Sequence, residues 1–116
     1  MSDPMLGEIS MFAGTFAPAG WKLCDGQLLE IGEFDALFTL IGTLYGGDGK
    51  RTFALPDLRS RVPLHAGRPP QLPEVQVGQS GGRVPPGGPH ATDYSAGPYL
   101  GVTFIIATQG IFPSQS

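Results

Sequence analysis

A single cysteine, Cys24, leaves no partner for an intrachain disulfide and excludes a Cys-rich metal site, so stability has to come from packing or assembly. Charge is scarce as well. Only 15% of the 116 residues are charged, seven Lys and Arg stand against ten Asp and Glu, and the net charge is −3. The cationic footprint of a protein bound to nucleic acid or anionic lipid is therefore missing, and neither partner is expected. No stretch approaches the roughly 20 apolar residues of a membrane span, and Met1-Ser2-Asp3-Pro4 lacks a basic region leading into an apolar run. Neither membrane insertion nor a cleavable signal peptide is expected. Internal repeats are absent too. What the chain has in quantity is glycine, 18 residues, and proline, 12, beside a 41% hydrophobic fraction. That is far from a helical bundle, and a surface so poor in charge is expected to be partly covered by other chains. The length suits one domain and hardly two.

The apolar pattern places the elements. Residues 6–12 alternate loosely, with Gly7, Ile9 and Met11 on one side and Glu8, Ser10 and Phe12 on the other, as in a half-buried strand. Residues 13–20 mix small residues with Gly and Pro and form a loop. Residues 21–24 and 27–31 flank Asp25-Gly26, a pair favoured in two-residue hairpin turns, so a short hairpin is expected there. Phe34, Leu37, Phe38 and Ile41 follow at i, i+3, i+4 and i+7, which predicts one amphipathic helix over about 33–42. Glu33 and Asp35 fall in its first turn, and Gly42 supplies the stop. Gly46-Gly47-Asp48-Gly49 makes a turn, residues 51–55 a brief strand, and Asp57 is placed to cap backbone amides. Arg59 and Arg61, two apart, are expected to pair with Asp48 or Asp57. Residues 67–98 then hold seven prolines and seven glycines with little periodicity and cannot build a core. Leu100, Val102, Phe104 and Ile106 alternate with Gly101, Thr103, Ile105 and Ala107 in the clearest strand of the chain. Adjacent Ile105 and Ile106 indicate burial on both faces. The expected fold is thus α+β: one β-rich domain over 1–116, with a framework at 6–66 and 99–114 and a Gly/Pro-rich excursion at 67–98.

Catalytic chemistry finds little footing. Cys24 with His65 or His90 would make a nucleophile pair, but Cys24 lies beside Trp21 and Leu23, where a free cysteine packs as a small apolar group. Gly46 to Gly49 lacks the Gly-Lys-Ser/Thr of a phosphate loop and the alternating acids of a calcium loop. The ten acids show no spacing that singles out a glycosidase pair. Trp21 and Tyr45 are assigned to the core, while Tyr94 and Tyr99 have the polar-tipped rings that stack on sugars. No catalytic residue, no cofactor and no metal site is assigned, although a threefold axis would bring three copies of His90 together.

Several rare residues nevertheless fall in a telling order: Phe12-Ala13-Gly14, Ala17-Pro18, Gly20-Trp21, Cys24-Asp25-Gly26-Gln27, Ala36-Leu37-Phe38, Leu55-Pro56-Asp57-Leu58-Arg59 and Arg61-Val62-Pro63. This order resembles the phage tail collar domain family, which includes the microcystin-dependent proteins, and Gln109 to Ser114 resembles the same family's C-terminus. The paired-histidine motif common in that family is absent, with Pro85 to His90 its nearest counterpart. The resemblance implies a non-enzymatic structural and adhesive part of a tail fibre or tail tip, located in the virion tail or outside the cell. It also implies self-association, a trimer first and a filament as the alternative, contact with other tail or fibre proteins, and contact with a host-surface polysaccharide. Arg83, His90 and Tyr94 in the excursion are the candidate ligand contacts. A bacterial filament subunit or injection-device tip is the second reading, and an enzyme acting on cell-surface polysaccharide the third.

Overall fold

The computed structural model of the chain describes residues 3–82 and 98–115. Its regular elements are β1 (Ile9–Phe12), β2 (Trp21–Leu23), β3 (Leu28–Glu30), α1 (Asp35–Ile41), β4 (Thr52–Ala54) and β5 (Thr103–Ala107). The β-rich character with one short helix is as the composition and patterning predict.

The last strand of the chain is the central strand of its larger sheet. β5 lies between β1 and β2 and is antiparallel to both, in the order β1-β5-β2. Successive side chains of a strand point to opposite faces, so Ile105 and Ile106 enter different layers, and both are buried. Ile106 joins Leu6, Cys24, Leu29, Leu37, Phe53 and Leu55 in the main core. On the Ile105 side, Thr103 donates its hydroxyl to the Gly14 carbonyl at 2.7 Å, which lays the 13–20 loop over that face. Phe12 and Phe16 meet edge to face at 5.6 Å in the same loop region. Burial on both faces is as expected. The strand is shorter than the alternation suggested, because Leu100 and Val102 are exposed ahead of Thr103.

The expected hairpin at Asp25-Gly26 does not form. β2 pairs with β5 and β3 pairs with β4, so the two segments flanking Asp25-Gly26 take distant partners instead of each other. Gly26 has the positive φ, 76°, that the dipeptide favours, but it bends the chain from one sheet into the other. Across this bend the segment runs beside 55–58: Leu55 N–H donates to Gln27 O, Gly26 N–H to Pro56 O, and Leu58 N–H to Cys24 O. Asp57 Cβ lies 3.2 Å from where a Cβ on Gly26 would project, so a side chain there would be crowded as well as strained in angle.

The helix stands where the periodicity puts it, trimmed at its start. Phe34 holds the N-cap position with φ −131° and ψ 46°, so Glu33 lies in the preceding turn and only Asp35 faces the positive helix end. Leu37 is fully buried, Phe34, Phe38, Leu40 and Ile41 are partly so, and the Phe38 and Phe53 rings sit 5.4 Å apart. Each large side chain of this kind is worth about 1.5–3 kcal/mol when fully buried. Gly42 ends the helix with its N–H on Phe38 O at 2.7 Å. In the excursion, Gly67 and Val75 exchange two backbone hydrogen bonds of 2.7 and 2.9 Å, and Gly78 passes against the Leu44 carbonyl.

The glycine loop after the helix is held against β4. Ala54 N–H donates to Gly46 O, Gly49 N–H donates to Thr52 O, and Gly47, at φ 93°, lies against the Phe53 backbone with no room for a Cβ. Gly47→Ala is therefore expected to destabilise the protein by about 2 kcal/mol or more. Gly32→Ala, at a position with nothing within 4 Å, should leave the denaturation midpoint nearly unchanged. Urea unfolding of the pair checks both.

Candidate binding surface

Two carboxylates organise the loops. Asp48 Oδ1 accepts the backbone N–H groups of Lys50, Arg51 and Thr52 at 2.9, 2.9 and 3.0 Å. These bonds, led by that of Thr52, hold its carboxyl well below the usual range. Its Oδ1 is used on the loop's own backbone, which makes the turn a structural one, as read from the sequence. Asp57 takes the Arg59 guanidinium in a fork, Nε to Oδ1 and Nη2 to Oδ2, each at 2.9 Å, and also accepts the Arg59 amide at 3.2 Å. Arg61 Nη1 donates to the Asp57 carbonyl at 3.3 Å and lies 3.8 Å from Oδ2. The arginine pair thus meets Asp57, not Asp48. The Arg59 hydrogen bond is the main cause that lowers the Asp57 pKa to about 2.

Beside this cluster is an open groove of about 310 Å3, walled by Leu23, Asp25, Leu58, Arg59, Val102 and Phe104. Its lining is mainly apolar, with Asp25 and Arg59 as one acid and one base. No local motif announces it, because its walls come from β2, the Asp57 turn and β5, which only the strand order brings together. A second hollow of about 500 Å3 lies between Glu30, Gly32, Asp48, Lys50, Arg51 and Thr52 and is mostly polar.

The cysteine–histidine reading has the wrong electrostatics. Cys24 is buried, and desolvation, followed by the charge of Asp25, pushes its thiol up to about 11, away from the thiolate a nucleophile needs. His65 lies on the exposed stretch after the Asp57 turn. Trp21 and Tyr45 are half-buried rather than fully in the core, and burial, then the neighbouring Cys24, raises the Tyr45 pKa. Arg83, His90 and Tyr94 lie outside the described residues. Among the described residues no group of three or more His, Cys, Asp or Glu is placed to hold a metal ion, and no helix is long and apolar enough to cross a membrane.

Residues 7–63 match the family model of the Phage Tail Collar Domain. The collar domain is a structural domain of tail fibres, which associates the chain with the virion tail. No curated protein and no solved structure matches the chain. The matched segment includes β1 to β4, the helix and the Asp57 turn, and stops short of the excursion and β5.

Asp57 carries a prediction about pH. Its folded pKa is depressed to about 2, against about 4 for an ordinary Asp, so the stability it adds is present above pH 4 and is lost as pH falls through 2. Asp57→Asn should lower stability by about 1 kcal/mol at neutral pH, since its partners are largely exposed. The wild-type and variant unfolding midpoints should converge between pH 4 and pH 2.

Proposed function

We propose that the chain is a non-enzymatic structural and adhesive component of a phage tail fibre or tail tip, which assembles with copies of itself and touches a host-surface polymer. The observation that supports this reading best is the collar-domain match over 7–63. Two features add to it. The described surface carries many exposed apolar side chains, among them Met11, Phe16, Val62, Leu64 and Leu100, more than a solitary low-charge protein keeps dissolved easily. Residues 67–98 lie between β4 and β5 in the sequence, and in this reading they project from the framework. In this reading 1–116 is one domain, a trimer is the first assembly to look for, and the tip of 67–98, with Arg83, His90 and Tyr94, meets the polymer.

A bacterial filament subunit or injection-device tip is the second reading. Exposed strand edges favour it, as the route by which strands join chains. Deleting 81–95 separates the roles of framework and excursion. The deletion should leave the circular dichroism and the oligomer mass intact while removing binding to whole host cells. Undiminished cell binding would move the contact off the excursion, and open-ended filaments in negative stain would favour the second reading.

A further inference from the structure

β1 and β2 are the two edges of the larger sheet, and they are finished differently. In an antiparallel ladder, residues alternate between those whose backbone N–H and C=O face the neighbouring strand and those whose groups face away. At the start of β1, Gly7 N–H donates to Ala107 O and Ala107 N–H donates to Glu8 O. Gly7 has φ 83°, which makes this a glycine bulge and fixes the phase of the ladder along β1. With Ile9 opposite Ile106 and Ser10 opposite Ile105, Ser10 and Phe12 bond to β5, and Ile9 and Met11 turn their backbone groups outward. On the other side, Cys24 N–H donates to Phe104 O and Thr108 N–H to Gly20 O, which leaves Trp21 and Leu23 facing outward from β2.

The outward groups of β2 are met within the chain. Trp21 N–H donates to Pro18 O at 3.0 Å, and Leu23 O accepts the Gln27 side-chain amide at 3.3 Å. The outward groups of β1 are not capped in this way. Among the described residues only Met11 O has a partner, the Ser10 hydroxyl at a long 3.4 Å. The strand contains neither Lys nor Pro, the residues that commonly blunt natural edges. Its outward positions also carry apolar side chains on one face, Ile9 at 42% and Met11 at 69% exposure.

From this we infer that β1 is a self-pairing edge, and that two copies of the chain join along it, antiparallel, about a two-fold axis at Ser10. The occupant is a second copy because the strand is complementary to itself in this register. Ile9 faces the partner's Met11 and Met11 faces the partner's Ile9, so each pair exchanges two hydrogen bonds and sets apolar against apolar. Glu8 faces the partner's Phe12, so no like charges are opposed. The two three-stranded sheets become one. A threefold axis cannot generate this contact, since isologous pairing needs a two-fold. It therefore goes beyond the fibre reading: a trimer that also used it would pair with a second trimer.

Ser10 gives a direct test. In the paired arrangement it sits opposite its own copy at a non-hydrogen-bonded position, where Cα atoms are about 4.5 Å apart, within disulfide reach. Oxidised Ser10→Cys should run as a covalent dimer, while Ile9→Cys, whose counterpart is Met11, should not; the native Cys24 is buried. By light scattering on the full chain, the wild type should contain an even number of copies. Met11→Glu, at an exposed position, should keep its circular dichroism and weaken the association at least about tenfold, because it brings a charge into the seam. A folded Ser10→Cys protein that stays unlinked where the wild type associates would overturn the proposal. So would a wild type that remains monomeric at every concentration, a Met11→Glu variant that assembles unchanged, or an edge occupied by a different protein. A trimer without the link would remove the edge contact and leave the fibre reading standing.

Discussion

The fold depends on the return of β5. A strand from the end of the chain is inserted between β1 and β2, which have no hydrogen bonds to each other, and so it supplies both ladders of the larger sheet and the Ile106 side chain of the core. The larger sheet cannot close without it. This insertion also explains how a framework can carry an excursion of 32 residues rich in proline and glycine. Loop closure costs only about 0.6 kcal/mol for each doubling of loop length, so once β5 is seated the intervening segment can vary at small thermodynamic expense. The demand falls instead on the anchors. Gly67 and Val75 close a short loop with paired backbone bonds at the start of the excursion; beyond β5, Gly110 passes the Pro4 carbonyl at φ 148° and Ile111 bridges to Met5, which ties down the far end of that strand.

How much of this is legible in the sequence depends on which interactions are local. The helix is, because Phe34, Leu37, Phe38 and Ile41 announce one face over a short span, and so is the double burial of Ile105 and Ile106. The pairing of Asp57 with Arg59 and Arg61 is too, since the groups lie within four residues of each other. The hairpin expected at Asp25-Gly26 fails for the same reason: the dipeptide encodes a bend, and a bend serves a crossing between sheets as well as a hairpin. What decides between them is the competition from β4 and β5 for the flanking residues, and no short window contains that. The groove beside Arg59 escapes altogether, being walled by residues from both ends of the chain. Of the proposed contact residues, Arg83, His90 and Tyr94 lie outside the described residues, so the excursion reading rests on composition and resemblance.

Scarcity of charge links the interior to the surface. In a chain with so little regular structure, many backbone N–H groups have no ladder partner, and Asp48 and Asp57 satisfy a cluster of them. Asp48 serves three consecutive amides, and Asp57 ties down two of the few arginines. Charges used in this way fix loops but cannot also keep neighbouring molecules apart. The remaining described surface is left with exposed Met, Leu, Val and Phe side chains and the uncapped edge of β1. In a monomer that combination is a liability, because an open edge with apolar side chains is a template for another chain. β2 shows that the fold can cap an edge with a loop carbonyl and a glutamine. That β1 lacks the same treatment is the physical reason to treat its edge as an interface.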